Sequence, residues 1–92
     1  MIISFTHKGL KRFYRSGSKA GIQAEHADKI QRLLTSLDCA VSPDDMDLPS
    51  YALHQLKGNK AGIWSVTVRA NWRITFRFVG TDIELVNYED YH

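Results

Sequence analysis

The chain has 92 residues, of which 43% are hydrophobic and 24% charged, and its formal net charge is +2 at pH 7. These values are typical of an ordinary soluble globule, so we expect residues 1–92 to form one domain. The charge is too small to indicate a nucleic-acid partner by itself. A single cysteine, Cys39, excludes an internal disulfide, and no apolar run is long enough for a transmembrane span. We therefore expect a cytoplasmic protein with no membrane partner.

Two amphipathic segments in the first half predict helices. The first runs from Lys8 to Arg15, and the second from about Ala24 to Ala40. The second has one apolar stripe at helical spacing, formed by Ala27, Ile30, Leu33, Leu34 and Leu37. We expect His7 and His26 to be exposed and Cys39 to be a packing residue.

Shorter elements flank these helices. Ile2–Phe5 could form a short strand, and the acidic segment Val41–Ser50 predicts a loop. That loop lacks the glycine and the distal glutamate of a calcium site, so we predict no metal there. Tyr51–Lys57 predicts a strand, although its apolar residues do not settle which face His54 takes.

The clearest pattern is a pair of alternating segments joined by Arg69–Arg73. One face of this hairpin carries only apolar residues: Trp64, Val66, Val68, Ile74, Phe76 and Phe78. A three-residue loop, Ala70–Trp72, would set Arg69 opposite Arg73 on the other face. Two like charges directly across a ladder destabilise it unless an anion lies between them. This pairing is a first indication of a phosphate site.

A further strand, Ile83–Tyr88, follows the turn after Val79. Setting Phe78 opposite Ile83 keeps the apolar residues of this strand on the core face. The same register sets Arg77 opposite Glu84 and Arg73 opposite Tyr88. If the strand continues, the arginine face gains two more groups, Asp90 and His92.

The groups predicted on this face fit phosphodiester cleavage. Arginine forks suit phosphate oxygens, and a histidine can exchange a proton near neutral pH. An RNA substrate supplies its own 2′-hydroxyl as nucleophile, so the set needs neither metal nor cofactor. Other interpretations stay open: Arg77 and Glu84 could form a plain surface ion pair, the tail could be a polar chain end, and Trp72 could stack on a base or pack in the fold.

Three stretches carry a family resemblance: Leu53–Gly58, Trp64–Phe76 and Asn87–His92. They closely resemble HigB toxins of the RelE/ParE superfamily of toxin–antitoxin systems. The resemblance implies an α+β fold with two N-terminal helices packed on a mainly antiparallel β-sheet. It also implies a ribosome-dependent mRNA endonuclease that cleaves in the decoding site by 2′-hydroxyl attack, without a metal, leaving a 2′,3′-cyclic phosphate.

The resemblance assigns roles to individual residues. Its catalytic group matches His54, Asp90, Tyr91 and His92, and its basic positions for RNA match Lys57, Arg69 and Arg73. The implied partners are a HigA-like helix-turn-helix antitoxin, the ribosome and mRNA, with operator DNA bound only through the antitoxin complex. Two alternatives remain, a ParE-like gyrase inhibitor and a non-catalytic RNA- or ribosome-binding module. The histidine and aspartate residues argue against the gyrase inhibitor, which needs no acid–base group.

Overall fold

The computed structural model describes residues 1–60 and 62–90, in which two helices pack on one face of a sheet. Its main elements are α1 (Lys8–Ser16), α2 (Ala27–Cys39), β1 (His54–Gln55), β2 (Ile63–Arg69), β3 (Trp72–Val79) and β4 (Asp82–Asp90). The four strands lie in chain order and every pair is antiparallel. The segment Ile2–Phe5 runs parallel beside β4 through two isolated bridges. The predicted α+β fold with a mainly antiparallel sheet is confirmed.

The core lies between the helices and the apolar face of the sheet. The helices contribute Leu10, Phe13, Ala27, Ile30, Leu33, Leu34 and Leu37. The sheet contributes Val66, Val68, Ile74, Phe76, Ile83 and Val86. Each fully buried aliphatic or aromatic side chain stabilises the fold by about 1.5–3 kcal/mol relative to exposure. Both the predicted helical stripe and the predicted apolar face of the hairpin are confirmed.

Two expectations about the helices are wrong. A single 3₁₀ turn, Ala24–His26, precedes α2, and it carries His26 into the core, where only 4% of the residue is exposed. Cys39 is exposed at the end of α2 rather than packed. The expectation that His7 is exposed is wrong as well: the residue is half-buried against Tyr88, and its Nδ1 caps α1 by accepting a hydrogen bond from the Leu10 amide at 2.9 Å.

The segment between α2 and the hairpin contains less strand than expected. Two 3₁₀ turns, Pro43–Met46 and Pro49–Tyr51, occupy the acidic loop and its end. Only His54–Gln55 of the predicted strand pairs with β2. Within residues 1–60 and 62–90, no helix is long and apolar enough to cross a membrane.

The hairpin register differs from the prediction by two residues. The loop is Ala70–Asn71, so Arg69 lies opposite Trp72, and Arg73 lies opposite Thr67. A bulge between Thr67 and Arg69 absorbs the extra residue of β2. The two-residue offset preserves the alternation, which is why the faces were assigned correctly although the pairs were not. Arg69 and Arg73 are therefore not the like-charge pair that indicated a phosphate.

The β3–β4 ladder begins as predicted and then changes phase. Phe78 pairs with Ile83 and Arg77 with Glu84, which form the expected surface ion pair. A bulge at Leu85, whose φ is 58°, then shifts the register. Arg73 consequently lies opposite Glu89 rather than Tyr88, so the predicted pairing with Tyr88 is wrong.

Beyond the bulge, each residue of β4 lies on the face opposite to the one predicted. Asn87 and Glu89 lie on the face of Arg73, while Tyr88 and Asp90 share the opposite side because side chains alternate along a strand. The expected place of Asp90 on the arginine face is therefore wrong. The expected places of Tyr91 and His92 lie outside the described residues.

Candidate active site

A shallow cleft of about 290 Å³ opens on the polar face of the hairpin. Its lining includes His54 from β1, Ser65 and Thr67 from β2, and Trp72 and Arg73 from β3. The register explains this grouping. His54 on β1 pairs with Ser65 of β2, and Arg73 on β3 pairs with Thr67 of β2, so the two side chains lie on either side of β2. The cleft thus brings one imidazole and one guanidinium together above a floor of small hydroxyl side chains.

The guanidinium in this cleft is held in a cross-strand ion pair. Arg73 Nε lies 3.4 Å from Glu89 Oε1, and only 12% of the Arg73 side chain is exposed, compared with 30% for Glu89. Partial burial reduces solvent screening of this pair. Glu89 therefore restrains Arg73 and also places a negative charge close to any anion that Arg73 binds.

The other predicted basic residues lie outside the cleft lining. Arg69 is exposed at the end of β2, next to the Ala70–Asn71 loop that forms one edge of the cleft. Lys57 is exposed in the loop after β1. Both positions are compatible with contacts to a long polyanion that extends beyond the cleft, since phosphate contacts recur along a nucleic-acid strand.

An aromatic cluster supports the cleft from the core side. Trp72, which lines the cleft, stacks on Tyr88 with a centroid distance of 4.6 Å and an interplanar angle of 28°. The Tyr88 hydroxyl lies 2.7 Å from Nδ1 of the buried His26. His26 and His7 contact this pair edge-on. The 3₁₀ turn before α2 is thereby tied to both β3 and β4.

Asp90 contributes to the electrostatic setting of Tyr88, and the strand register gives its position. Burial raises the pKa of Tyr88 above 10.0, the Gln23 amide opposes this by hydrogen bonding, and the charges of Glu25 and Asp90 add to the increase. Asp90 lies opposite Trp72 at the end of β4. It is therefore at the edge of the cleft, beside the aromatic cluster, and not in the row of Arg73.

Sequence reasoning missed three residues of this region. Glu89 was missed because the bulge at Leu85 has no counterpart in the alternation of the sequence. Tyr88 was placed opposite Arg73 and given no role, whereas it pairs with Ile74 and packs in the aromatic cluster. His26 could have been found, because it precedes Ile30 by one helical turn and continues the buried stripe.

The arrangement suits chemistry on a phosphate ester. The guanidinium can bind phosphate oxygens, and an exposed imidazole can donate or accept a proton. Among residues 1–60 and 62–90, no group of three or more His, Cys, Asp or Glu is placed to hold a metal ion. Arg73 and His54 give the described part of the cleft one group for charge stabilisation and one for proton transfer.

Solved structures with the same architecture identify the fold. YafQ from E. coli strain BL21(DE3) matches with a TM-score of 0.66 and 15% identity over 98% of this chain and 91% of that one. The YoeB/ParE toxin from Agrobacterium tumefaciens matches with a TM-score of 0.66 and 20% identity over 100% of both chains. The YoeB–YefM complex from Staphylococcus aureus matches with a TM-score of 0.64 and 20% identity over 100% of this chain and 95% of that one. The chain therefore has the fold of these proteins.

Sequence similarity identifies the family. Residues 3–92 match the family described as the RelE-like toxin of type II toxin–antitoxin system HigB. Endoribonuclease HigB from Proteus vulgaris is 48% identical over 92 residues, which cover 100% of both chains. The chain belongs to the HigB-like family of type II toxins, as the resemblance of its motifs predicted.

Proposed function

We propose that this toxin is a ribosome-dependent endonuclease that cleaves mRNA in the decoding site and thereby inhibits translation. The enzyme is an endoribonuclease, and residues 1–92 act as one toxin domain. The observation that carries the proposal is the cleft that His54 and Arg73 line together, from β1 and β3 on either side of β2. Support from outside the structure is the full-length similarity to Endoribonuclease HigB.

The proposed reaction is an internal transfer at phosphorus. The 2′-hydroxyl oxygen attacks the adjacent phosphorus, the 2′-oxygen–phosphorus bond forms, and the bond to the 5′-oxygen breaks. The products are a 2′,3′-cyclic phosphate and a new 5′-hydroxyl, so one proton leaves the nucleophile and one reaches the leaving group. No water, metal or cofactor enters this balance.

The cleft residues divide into charge-binding and proton-transferring groups. Arg73 stabilises the negative charge that develops on the phosphoryl oxygens, since fixed cations lower the energy of such transition states. Lys57 and Arg69 hold the flanking RNA backbone. His54 exchanges a proton with the reacting oxygens, together with Asp90, Tyr91 and His92 at the chain end.

Membership of the family supports a proposal for the biological setting. The partner of a type II toxin is an antitoxin, and related solved structures include the YoeB–YefM toxin–antitoxin complex. We infer a HigA-like helix-turn-helix antitoxin, whose complex with the toxin binds operator DNA. The target of the free toxin is the ribosome with its mRNA, which places the protein in the cytoplasm.

The test is cleavage of mRNA on programmed ribosomes. We expect cutting of ordinary mRNA and none when a 2′-deoxynucleotide precedes the cut bond, because the nucleophile is then absent. His54→Ala should lower the cleavage rate by about 10²–10⁴-fold, whereas Thr81→Ala, an exposed turn variant, should not. A gyrase inhibitor would instead block DNA supercoiling without cutting mRNA, and a binding module would bind ribosomes and cut neither substrate; either result refutes the proposal.

A further inference from the structure

A second depression, which we term the side pocket, adjoins the cleft on the same face of the sheet. Its volume is about 190 Å³, and its floor includes Thr75. Thr75 lies between Ser65 of the cleft and Asn87 of the side pocket in one row across β2, β3 and β4. An RNA strand whose phosphate occupies the cleft therefore has this pocket immediately beside it.

The side pocket differs from the cleft in charge. Its walls are apolar, formed by Leu56, Ile63 and Leu85, and Glu89 supplies a carboxylate at one side. None of its described lining residues is a cation. This surface offers a phosphate no cation among its described residues, whereas a neutral planar group can cover the apolar walls and meet polar atoms at the edge. Charge thus separates the two depressions into a phosphate site and a site for an uncharged group.

The wall at Leu85 is built at a conformational cost. This leucine has a φ of 58°, in the left-handed region that favours glycine, and remains 38% exposed. The Ser4 hydroxyl holds the bulge by accepting a hydrogen bond from the Leu85 amide at 2.8 Å. Strained residues that neighbouring structure holds in place cluster at functional sites. Here the strained residue completes the apolar wall that Leu56 and Ile63 begin.

The same bulge aims a polar group into the pocket. Because it shifts the phase of β4, Asn87 faces the side pocket rather than the core. Within residues 1–60 and 62–90, no hydrogen bond engages the Asn87 side-chain amide. An amide presents one donor and one acceptor side by side, which is the pattern that nucleobase edges offer.

We propose that the side pocket binds one unpaired nucleobase of the mRNA, next to the nucleotide whose phosphate lies in the cleft. The base packs against Leu85 and Ile63, and its edge hydrogen-bonds to the Asn87 amide. This inference rests on the proposed function and adds to it the residues that select sequence. Single-stranded RNA is commonly recognised in this way, by contacts to the face and the edge of an unstacked base.

The experiment couples a change in the protein to a change in the RNA. Cleavage of mRNA on programmed ribosomes is measured with an abasic nucleotide placed in turn on each side of the cut bond. For the unmodified protein, we expect one position to lose about 5- to 100-fold in rate, the range for loss of one packed base. Asn87→Ala should lower the cleavage rate of intact mRNA by about 2- to 10-fold. Removing the base at the sensitive position should then lower the rate of this variant by a markedly smaller factor than it lowers the rate of the unmodified protein.

A second variant tests the wall without weakening the fold. Leu85→Gly relieves the positive φ, which offsets the loss of a partly buried side chain, and should leave the melting temperature close to that of the unmodified protein while lowering cleavage of intact mRNA. Leu48→Ala, which removes another exposed leucine outside this face, should leave both quantities unchanged. The side-pocket proposal would be overturned if Asn87→Ala and base removal lowered cleavage independently, so that their effects multiplied. It would also be overturned if Leu85→Gly cleaved intact mRNA at the unmodified rate. Either result would leave cleavage by the unmodified protein, and so the proposed function, in place. Failure of the unmodified protein to cleave would overturn the proposed function as well.

Discussion

The charge of the cleft depends on the pair formed by Arg73 and Glu89, and we expect Glu89 to increase the penalty for losing Arg73. Arg73 Nε lies 3.4 Å from Glu89 Oε1, so a phosphate oxygen that bonds at about 2.8 Å to the guanidinium nitrogen nearest Nε lies about 6 Å from the carboxylate. Two unit charges at that distance repel by about 0.7 kcal/mol in water and about 3 kcal/mol at an effective dielectric constant of about 20. The paired arginine cancels this repulsion.

Arg73→Ala therefore has two consequences for cleavage. It removes a charged hydrogen bond to phosphate, about 1.5–3 kcal/mol, and it leaves the Glu89 carboxylate facing the substrate. Together these effects should lower kcat/KM by roughly 10²–10⁴-fold. The double variant Arg73→Ala/Glu89→Gln lacks the repulsion and should recover about 3- to 100-fold of that loss.

The assay is mRNA cleavage on programmed ribosomes, with thermal melts of all variants in parallel. Glu89→Gln alone serves as the matched control and should lower KM, because Arg73 no longer shares its charge with a carboxylate. A double variant no more active than Arg73→Ala would refute the reasoning that Glu89 repels the substrate. A collapsed melting temperature for Arg73→Ala would make the arginine structural rather than phosphate-binding.

Four further predictions concern the rest of the molecule. Burial lowers the pKa of His7 below 6.5, so the unfolded chain takes up a proton before the folded protein does, and the stability should fall as the pH drops below about 6.5. His7→Asn keeps a cap for the Leu10 amide and should make the melting temperature less dependent on pH between pH 7.5 and 5. Tyr88→Phe leaves Nδ1 of His26 unpaired and should cost about 1–3 kcal/mol in denaturant unfolding, which His26→Leu in the same chain should largely restore. Deleting His92 should lower ribosomal cleavage by about 10²–10⁴-fold without lowering the melting temperature, and equal cleavage rates would remove it from the mechanism. Treatment with EDTA should leave cleavage intact once the magnesium required by ribosomes is restored, and activity that returned only with zinc or manganese would contradict a metal-independent reaction.

Periodicity predicted most of the fold because each element buries one face. The apolar stripe of α2 and the alternation of β2 and β3 each require a single side to meet the core, and burial at those positions follows the pattern. Strand pairing is less constrained, because a shift of two residues keeps every side chain on its face. This is why the faces of the hairpin were right while Arg69 was placed opposite the wrong residue.

The site was harder to predict because a bulge turns the residues that follow it to the opposite face of the sheet, and the sequence has no pattern that marks the bulge. Leu85 is an apolar, non-glycine residue, and nothing in its type indicates a positive φ. An uninterrupted strand would have set Tyr88 beside Arg73, as the sequence predicted. His54 and Arg73 were nevertheless expected in one site, and they do line one cleft.

The bulge at Leu85 decides which acidic and aromatic groups reach the cleft. With strict alternation from Ile83, the second half of β4 would bury Glu89 between the helices and the sheet and turn Tyr88 toward solvent. A buried carboxylate without a partner is strongly destabilising, whereas Tyr88 buries a ring against Trp72 and satisfies its hydroxyl with His26. The one extra residue at the bulge instead buries Tyr88 and leaves Glu89 on the face of Arg73. The strain at Leu85 is thus compensated within β4, and the same change of phase gives Arg73 its counter-ion and gives Asn87 access to the side pocket.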